Sequence, residues 1–334
     1  MRLTVAVTGP TGEIGISAVD ALERSGKVGR ILGMARRPFD PAAHGWSKTE
    51  YRQGDILDRA AVDSLVADAD VVVHLAYLIM GSREECSRIN LAGTRNVFEA
   101  TVAAKRPRRL VYTSSVAAYG YHGDNQLPLS EDTPTRGSAE HYYSQQKAEC
   151  EALLVEITGQ SDLEVYVLRP CIVAGPKATA LSDEMPWRKV TDKLPERVRQ
   201  VLGVVPLLRP ILPDPGVPMQ LVHHDDVAAA IALAATGSGP PGAYNLAADG
   251  EVSFGEVAKA VGAISMPVPH AAAVAISEVV SLMPRVPAAA EWIHVARHSV
   301  VMDTSKAKRE LGWRPQHTAL ETLREMAEQV NQRA

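Results

Sequence analysis

The chain opens with a short apolar run that leads into three evenly spaced glycines. Leu3 to Val7 is rich in aliphatic and β-branched residues and has the length of a buried strand rather than of a buried helix. Gly9, Gly12 and Gly15 follow, and a helical pattern of apolar residues then runs to Arg24. A strand, a glycine turn and a helix N-terminus in succession bring backbone N–H groups and the positive end of the helix dipole to one place. The stretch therefore predicts a site for the pyrophosphate of a dinucleotide.

The glycine spacing is G-x-x-G-x-x-G, which differs from the most familiar dinucleotide fingerprint, G-x-G-x-x-G. Glycine turns between a strand and a helix are common, so the alternative is a turn with a purely structural role. The clean strand directly before it favours the nucleotide interpretation. The predicted cofactor contacts in this turn are Gly9, Thr11, Gly12, Glu13, Ile14 and Gly15.

The composition is ordinary for a soluble globular protein of 334 residues, with 46% hydrophobic and 22% charged residues. A formal net charge of -4 provides no basic field for nucleic acid or an anionic membrane. The three cysteines are far apart and include no C-x-x-C pair, so no metal site is expected. Strand-forming sequence from Leu3 leaves no room for a signal peptide, and no apolar stretch reaches the about 20 residues of a membrane helix. We expect a cytoplasmic protein with a small-molecule substrate.

Strands and helices alternate through the first half of the chain. The predicted strands are Leu3–Val7, Ile31–Ala35, Glu50–Gln53, Val71–Ala76, Arg109–Ser115 and Leu163–Leu168, and the predicted helices are Ile14–Arg24, Asp58–Val66, Glu84–Ala104 and Tyr142–Ile157. Repeated βα units of this length build a parallel, doubly wound α/β sheet. Ligands of such a sheet bind beyond the carboxyl ends of its strands.

Beyond Pro170 this alternation breaks down, and prolines punctuate residues 176–218. Later elements are a strand at Met219–Val222, a helix at Asp226–Ala235, a strand at Ala243–Ala247 and a helix introduced by the capping-box pair Ser253 and Glu256. We predict that residues 1–175 and 219–248 form a dinucleotide-binding Rossmann domain. Residues 176–218 and 249–334 would form a smaller, interleaved substrate-binding domain.

Tyr143 and Lys147 form a Y-x-x-x-K pair at the start of a predicted helix, where residues four apart face the same way. An ammonium beside a phenol favours the phenolate, so Lys147 is expected to lower the pKa of Tyr143 from its usual value of about 10. The tyrosine would then exchange a proton with a carbonyl or alcohol oxygen. Such pairs are common on solvated helix faces, but this one follows the hydroxyl cluster Thr113-Ser114-Ser115, which can hydrogen-bond a substrate oxygen.

These motifs together resemble the extended short-chain dehydrogenase/reductases, also called the epimerase/dehydratase family. The resemblance covers essentially the whole chain and is specific for the fold, but much less so for the substrate. Its motifs are T-G-P-T-G-E-I-G at 8–15, G-D-I at 54–56, H-L-A at 74–76, N-L-A-G-T-R-N at 90–96, T-S-S-V-A-A-Y-G at 113–120, Y-S-Q-Q-K at 143–147, L-R-P-C-I-V-A-G-P at 168–176, V-H-H-D-D-V-A at 222–228 and D-T-S-K-A-K-R-E-L-G-W-R-P at 303–315.

The resemblance implies a role for individual residues. Ser115 matches the catalytic serine, with Ser114 as a lesser candidate, and Tyr143 matches the proton donor or acceptor. Lys147 would also bind the nicotinamide ribose. Asn90 either approaches the cofactor or packs its helix. The remaining implied cofactor contacts are Asp55 and Ile56 at the adenine, Leu75 and Ala76 along the cleft, and Pro170 to Val173 beside the nicotinamide.

Some residues that could suggest metal binding, catalysis or a membrane contact are interpreted as structural. The run His223 to Asp226 looks like a metal cluster, but Asp225 or Asp226 as the N-cap of the following helix explains it better. Cys171 is expected near the pocket, without nucleophilic chemistry. The alanine- and valine-rich residues 271–282 predict a packed or substrate-covering helix.

Three functions compete for this sequence. The first is an NAD(P)-dependent oxidoreductase acting on a carbonyl or alcohol, the second a sugar-nucleotide epimerase with the same core, and the third a non-catalytic nucleotide-sensing module. Dehydratases of the family carry an acidic pair where this chain has Ser114 and Ser115, and its epimerases carry an asparagine where this chain has Arg169-Pro-Cys-Ile. Residues 201–218 are apolar. These features favour the oxidoreductase with a rather apolar substrate.

The second predicted strand ends in Arg36-Arg37-Pro38, with no acidic residue before Asp40. Discrimination between dinucleotides takes place near this strand end, where a guanidinium can bind a 2′-phosphate. We therefore predict NADP, with NAD as the alternative, and Arg36 as the contact because Arg37 precedes a proline. The family resemblance also implies a homodimer that pairs helices 84–104 and 142–157 across a two-fold axis.

Overall fold

A parallel sheet of seven strands lies at the centre of the protein in a computed structural model, which describes residues 2–79, 81–178, 211–260, 262–269 and 298–332. The strands are β1 (Leu3–Thr8), β2 (Val28–Ala35), β3 (Thr49–Gln53), β4 (Val71–His74), β5 (Arg109–Thr113), β6 (Glu164–Pro170), β7 (Ile172–Ala174), β8 (Ile211–Asp214), β9 (Leu221–His223), β10 (Gly242–Leu246) and β11 (Ile264–Pro267). The α-helices are α1 (Glu13–Arg24), α2 (Arg59–Val66), α3 (Arg83–Ser87), α4 (Thr94–Ala103), α5 (Tyr142–Thr158), α6 (His224–Ala235), α7 (Phe254–Ala260) and α8 (Ala319–Gln332).

The strand order of the main sheet is β10-β6-β5-β4-β1-β2-β3, and every neighbouring pair is parallel. This confirms the predicted doubly wound α/β sheet. The chain moves outward in one direction from β1 to β3 and in the other from β4 onward, so the topological switch point lies between β1 and β4. Ligands of such sheets bind in the crevice beyond that point.

Side chains of β1 alternate between two cores, one on each face of the sheet. Val5 and Val7 pack in the core that contains α1 and α6, and Ala6 packs in the core that contains α2, α4 and α5. Trp313 from the C-terminal segment is fully buried in the first core. Burial on both faces explains why the central strands read as unbroken apolar runs.

The prediction of one continuous helix over Glu84–Ala104 is wrong. The structure contains α3 and α4, separated by a π-helical turn at Arg88–Gly93. Within this turn the Asn90 side chain is turned inward, where it binds the backbone of Leu78. A π turn carries one more residue than an α turn, and such turns recur at functional sites.

Several element ends also differ from the prediction. β4 ends at His74 rather than Ala76, and β6 continues to Pro170 rather than ending at Leu168. β5 ends at Thr113 because Ser115 already caps a 3₁₀ turn and accepts the N–H of Ala117 at 3.2 Å. These differences leave the order of the elements unchanged.

Two small parallel pairs, β7 with β9 and β8 with β11, lie outside the main sheet. The capping box before α7 is confirmed, because Glu256 N donates to Ser253 Oγ at 3.1 Å and Ser253 N donates to Glu256 Oε2 at 2.8 Å. Most of the apolar segment 201–218 and the whole of the helix predicted at 271–282 lie outside the described residues. The division into two domains stays a prediction. None of the described helices combines the length and the apolar character needed to cross a membrane.

Candidate functional site

The glycine turn lies beside the switch point of the sheet. Gly9 has a φ of +74°, and a Cβ there would come within 2.8 Å of the backbone of Ala76, which follows β4. A Cβ on Gly15 would collide with the carbonyl oxygen of Gly9, so both positions require glycine. Gly12 is the N-cap of α1, and a Cβ at this position would lie 3.6 Å from the carbonyl oxygen of Gly9. Gly12 and Glu13 are exposed, so this helix N-terminus lies at the surface, where it fits the pyrophosphate of a dinucleotide.

The ends of β2 and β3 carry the residues predicted to hold the adenosine. Arg36 and Arg37 are exposed, and among the described residues neither guanidinium has a hydrogen-bond or ion-pair partner. Their carbonyl oxygens accept hydrogen bonds from Gln53 Nε2, at 2.9 Å, and from the Tyr51 hydroxyl. The backbone is thus fixed while both side chains remain free to meet an anion.

Asp55 and Ile56 follow β3 and differ in exposure. The Asp55 carboxylate accepts the N–H of Leu57 at 3.0 Å and is half-buried. Ile56 is buried and packs against Gly93. Asp55 is therefore the member of the predicted pair with side-chain surface open to a ligand.

Leu75 and Ala76, which follow β4, are tied to the end of β1. Leu75 N donates to Thr8 O at 3.1 Å, and Ala76 N donates to Thr8 Oγ1 at 3.4 Å. On the other side of the site, Pro170 ends β6 and Val173 lies in β7, with Pro170 buried and Val173 half-buried. The predicted cofactor residues thus lie at the carboxyl ends of β1, β2, β3, β4 and β6, and in β7.

The structure brings Ser115, Tyr143 and Lys147 together beyond the end of β5. The Ser115 hydroxyl interacts with the phenol of Tyr143 and lowers the pKa of that phenol. Lys147 is only 3% exposed, and its Nζ donates to the carbonyl oxygen of Thr113 at 3.1 Å. The same Nζ lies 5.9 Å from the centre of the Tyr143 ring. A phenol paired with a serine hydroxyl can exchange a proton with a substrate oxygen bound between them.

The predicted lowering of the Tyr143 pKa is wrong in this arrangement. Burial raises the pKa of the phenol, and the Ser115 hydroxyl opposes that rise only in part. Burial also lowers the pKa of Lys147 to about 8. The sequence could show that the two side chains share a helix face, but it could not show that the ammonium is directed at Thr113.

Two further hydroxyl groups lie at the same strand end. Thr113 Oγ1 and Ser114 Oγ are buried, and neither has a hydrogen-bond partner among the described residues. An unpaired buried hydroxyl costs free energy unless a ligand or water satisfies it. Ser114 therefore retains its place beside Ser115 as a group that could contact a ligand.

A buried polar network holds α5 in place, and sequence reasoning missed it. Arg169 on β6 binds both carboxylate oxygens of Glu151, at 3.0 and 2.6 Å, and donates to Tyr119 Oη at 2.8 Å. Tyr119 in turn donates to Asn245 Oδ1 at 2.7 Å. The spacing of Glu151, four residues after Lys147, was the available signal, because it places a carboxylate on the same helix face.

The N-terminus of α5 is fixed by two side chains. His141 is the N-cap, and its Nδ1 accepts the N–H of Ser144 at 3.2 Å. Ser144 Oγ donates to Ala117 O at 2.6 Å and so joins the helix to the 3₁₀ turn that Ser115 caps. The helix carrying Tyr143 is thereby held against the segment carrying Ser115.

Asn90 packs its helix against the loop after β4. Its Oδ1 accepts the N–H of Leu78 at 2.8 Å, and its Nδ2 donates to Leu78 O and to Gln146 Oε1, both at 2.9 Å. Asn90 is expected either to approach the cofactor or to pack its helix, and these contacts show the packing role. The loop after β4 is consequently fixed to α5.

A small pocket of about 30 Å³, open to solvent, is lined in part by Tyr121, which packs against Tyr143. Tyr143 and Val300 both pack against Ala117 and Tyr121. The pocket is lined by Val116, Tyr121, Cys171, Ile172, Pro218, Met219, Gln220, His298, Ser299 and Val300. Most of these side chains are apolar, and none of them is a lysine or arginine.

As predicted, Cys171 lies at the pocket, and burial raises the pKa of its thiol, which makes it a poor nucleophile.

The cluster around His223 corrects one prediction. The N-cap of α6 is His223, whose Nδ1 accepts the N–H of Asp225 at 3.2 Å, and not Asp225 or Asp226. Asp226 instead accepts the backbone N–H groups of Gln316 and His317, at 2.8 and 3.2 Å.

His223, His317 and Glu325 bring potential metal ligands within 4.8 Å of one another. The two imidazole rings, however, are stacked with their centres 3.8 Å apart and an interplanar angle of 22°. Stacked rings present their nitrogens side by side instead of directing them at one ion, as a tetrahedral site requires. The arrangement argues against a shared metal at this position.

Comparisons with known proteins identify the family. A sequence model described as the NAD dependent epimerase/dehydratase family matches residues 5–247. Sterol demethylase protein B of Methylococcus capsulatus is 29% identical over 189 residues, which cover 52% of this chain and 52% of that protein. Human 3 beta-hydroxysteroid dehydrogenase type 7 is 32% identical over 194 residues, which cover 52% of this chain and 51% of that protein. The matched segments thus span about half the length of these two curated relatives.

Among solved structures, the Bordetella bronchiseptica enzyme WbmG in complex with NAD has a TM-score of 0.70 and 20% sequence identity. The similarity covers 99% of this chain and 95% of that chain. At this level of identity, the match supports the fold.

Proposed function

Because the chain belongs to the NAD-dependent epimerase/dehydratase family, we propose that it is an NAD(P)-dependent oxidoreductase. In this proposal it transfers a hydride to or from the carbonyl or alcohol carbon of a small, rather apolar substrate. The observation that carries it is the pairing of Ser115 with Tyr143, whose ring packs against Tyr121 in the wall of a pocket lined chiefly by apolar side chains.

Each of the three central residues has a distinct task. A bound nicotinamide dinucleotide supplies or accepts the hydride. Tyr143 gives its phenolic proton to the substrate oxygen during reduction and takes it back during oxidation. The Ser115 hydroxyl donates a hydrogen bond to the same oxygen as negative charge develops there. Lys147 holds the nicotinamide ribose through hydrogen bonds from its ammonium.

The pocket lining supports an apolar substrate. A sugar nucleotide carries a diphosphate, which proteins bind with arginine, lysine or helix N-termini. Among the described residues, the side chains that line this pocket include no lysine or arginine, and their aromatic and aliphatic members instead favour burial of a hydrocarbon group. A sugar-nucleotide epimerase with the same three residues remains the second candidate, and a dinucleotide-sensing module without catalysis is the third.

NADP is the proposed cofactor, with NAD as the alternative. Arg36 is exposed at the end of β2, and its guanidinium has no ion-pair partner among the described residues. A guanidinium in this position can form a charge-assisted fork with a 2′-phosphate. The remaining proposed contacts are the residues of the glycine turn together with Asp55, Ile56, Leu75, Ala76, Tyr143, Lys147, Pro170 and Val173.

A homodimer is proposed from the family resemblance. The helices involved, α4 and α5, pack against each other, and exposed valines lie on both, Val102 and Val155. Light scattering at micromolar protein concentration should give twice the mass of the 35.9 kDa chain. A mass of one chain would contradict the proposal.

The function is tested by following hydride transfer at the absorbance of the reduced nicotinamide. The purified protein is incubated with each dinucleotide and a panel of apolar ketones, aldehydes and alcohols, and separately with sugar nucleotides. We expect turnover with an apolar ketone or alcohol. Conversion of a sugar nucleotide into its epimer, without net oxidation of the dinucleotide, would support the second candidate instead. Dinucleotide binding without turnover of either class would support the third.

A further inference from the structure

The ring of Tyr77 covers the ammonium of Lys147. Tyr77 lies in the loop after β4, and its ring centre is 3.6 Å from Lys147 Nζ. The same ring meets Tyr143 edge to face, with the centres 5.7 Å apart and an interplanar angle of 86°. One aromatic side chain therefore contacts both Tyr143 and Lys147.

Contacts that do not involve Lys147 hold Tyr77 in this position. Asn90 binds both backbone polar groups of Leu78, the next residue along the loop. Gln146 Oε1 lies 3.5 Å from the Tyr77 hydroxyl, which donates to it, and accepts a second hydrogen bond from Asn90 Nδ2 at 2.9 Å. The loop and the ring are thus anchored from α5 and from the π turn.

An ammonium in this site has lost most of its water. Lys147 is 3% exposed, and its Nζ has one hydrogen-bond acceptor, Thr113 O, among the described residues. Burial disfavours the charged form of lysine, whereas an aromatic face within about 6 Å of the cation favours it. The Tyr77 ring offers such a face, with its centre only 3.6 Å from Lys147 Nζ.

The other groups around Lys147 come from three elements. They are His74 on β4, Tyr112 on β5, and Tyr143, Cys150 and Glu151 on α5 itself. Burial lowers the pKa of His74 to about 3 and raises those of Tyr112 and Tyr143, so all three are neutral near pH 8. Cys150 and Glu151 raise the pKa of Lys147, but Glu151 is already paired with Arg169.

We propose that Tyr77 is a positioning residue that keeps the Lys147 ammonium charged and directed at the end of β5. This inference rests on the proposed function for its catalytic meaning, but the contact itself acts before any ligand binds. A charged Lys147 can donate strong hydrogen bonds to ribose hydroxyls. A neutral Lys147 donates weaker ones.

The test compares variants that keep the ring with variants that remove it. Tyr77→Phe keeps the aromatic face and loses only the hydroxyl, whereas Tyr77→Leu and Tyr77→Met keep an apolar side chain without a π face. Lysine Cε-labelled protein without dinucleotide is titrated by NMR from pH 6 to pH 11, and the Lys147 signal is assigned by its loss in Lys147→Arg. Circular dichroism establishes that each variant is folded, and Tyr77→Met replaces Tyr77→Leu if the latter does not fold.

We expect the midpoint of the Lys147 titration to fall by about one pH unit in the ringless variants, as loss of a desolvated cation–π contact requires. It should stay near the wild-type value in Tyr77→Phe. An unchanged midpoint in the ringless variants, or an equal shift in Tyr77→Phe, would overturn the proposal. Because this titration uses no substrate, its outcome is independent of whether hydride transfer is found.

Discussion

Arg169 and Glu151 form a bidentate ion pair that is almost fully buried, with side chains only 8% and 7% exposed. The pair joins β6 to α5 one helical turn beyond Lys147. It fixes the rotation of α5 about its axis and therefore the direction in which Tyr143 and Lys147 project. The position of the candidate site thus depends on a buried ion pair that is not itself part of the pocket lining.

Replacing Arg169 with methionine should destabilise the protein strongly. The variant leaves the Glu151 carboxylate buried without its partner, which costs about 3–5 kcal/mol for ion pairs of this kind. Urea unfolding measures the loss. The double variant Arg169→Met, Glu151→Leu should regain at least half of it, since no charge then remains buried. Equal losses in the single and double variants would show that packing, and not the ion pair, holds this region.

Sequence reasoning found the parts of the site that depend on local spacing. The glycine turn, the Tyr143–Lys147 helix face and the hydroxyl cluster before them all follow from residues within one or two turns of each other. The alternation of strands and helices also predicted the parallel, doubly wound sheet, because βα units have few ways to assemble.

What the sequence did not reveal comes from contacts between distant segments. Tyr77 reaches Lys147 across 70 positions of the chain only because the sheet places β4 beside β5. The π turn is accompanied by the hydrogen bond that Asn90 accepts from Leu78 N in the loop after β4. The cap of α6 depends on the side-chain rotamer of His223. Apolar periodicity carries no information about such side-chain choices.

The buried His74 should make the protein less stable in mild acid. Its ring lies between Thr8 Oγ1 and Thr94 Oγ1, at 2.7 and 2.9 Å, and burial lowers its pKa to about 3. Between pH 6.5 and pH 3 the unfolded chain binds a proton at this histidine that the folded protein cannot, so stability is lost as the pH falls.

For a folded pKa of about 3, lowering the pH from 7 to 5 removes about 2 kcal/mol through His74. Urea unfolding of wild type and His74→Asn at both pH values isolates this contribution. The variant should lose about 2 kcal/mol less than wild type on acidification. The same loss in both proteins would mean that His74 is not held neutral.

Arg36 should determine the preference for NADP. Arg36→Ala removes a charge-assisted contact and should weaken NADPH binding by about tenfold or more while leaving NADH binding nearly unchanged. Arg37→Ala, at the neighbouring exposed arginine, is the matched control and should change neither affinity strongly. Fluorescence titration measures all the affinities. Tighter binding of NADH than of NADPH by wild type would reject the NADP assignment.

The most direct measurement of the central claim is the turnover of Tyr143→Phe with the substrate that wild type converts. The variant differs by one hydroxyl group, and the ribose would still be held by Lys147. We predict dinucleotide binding close to wild type and turnover reduced by at least about 100-fold, the scale of a lost general acid. Turnover like that of wild type would remove Tyr143 from the mechanism and contradict the proposed reaction.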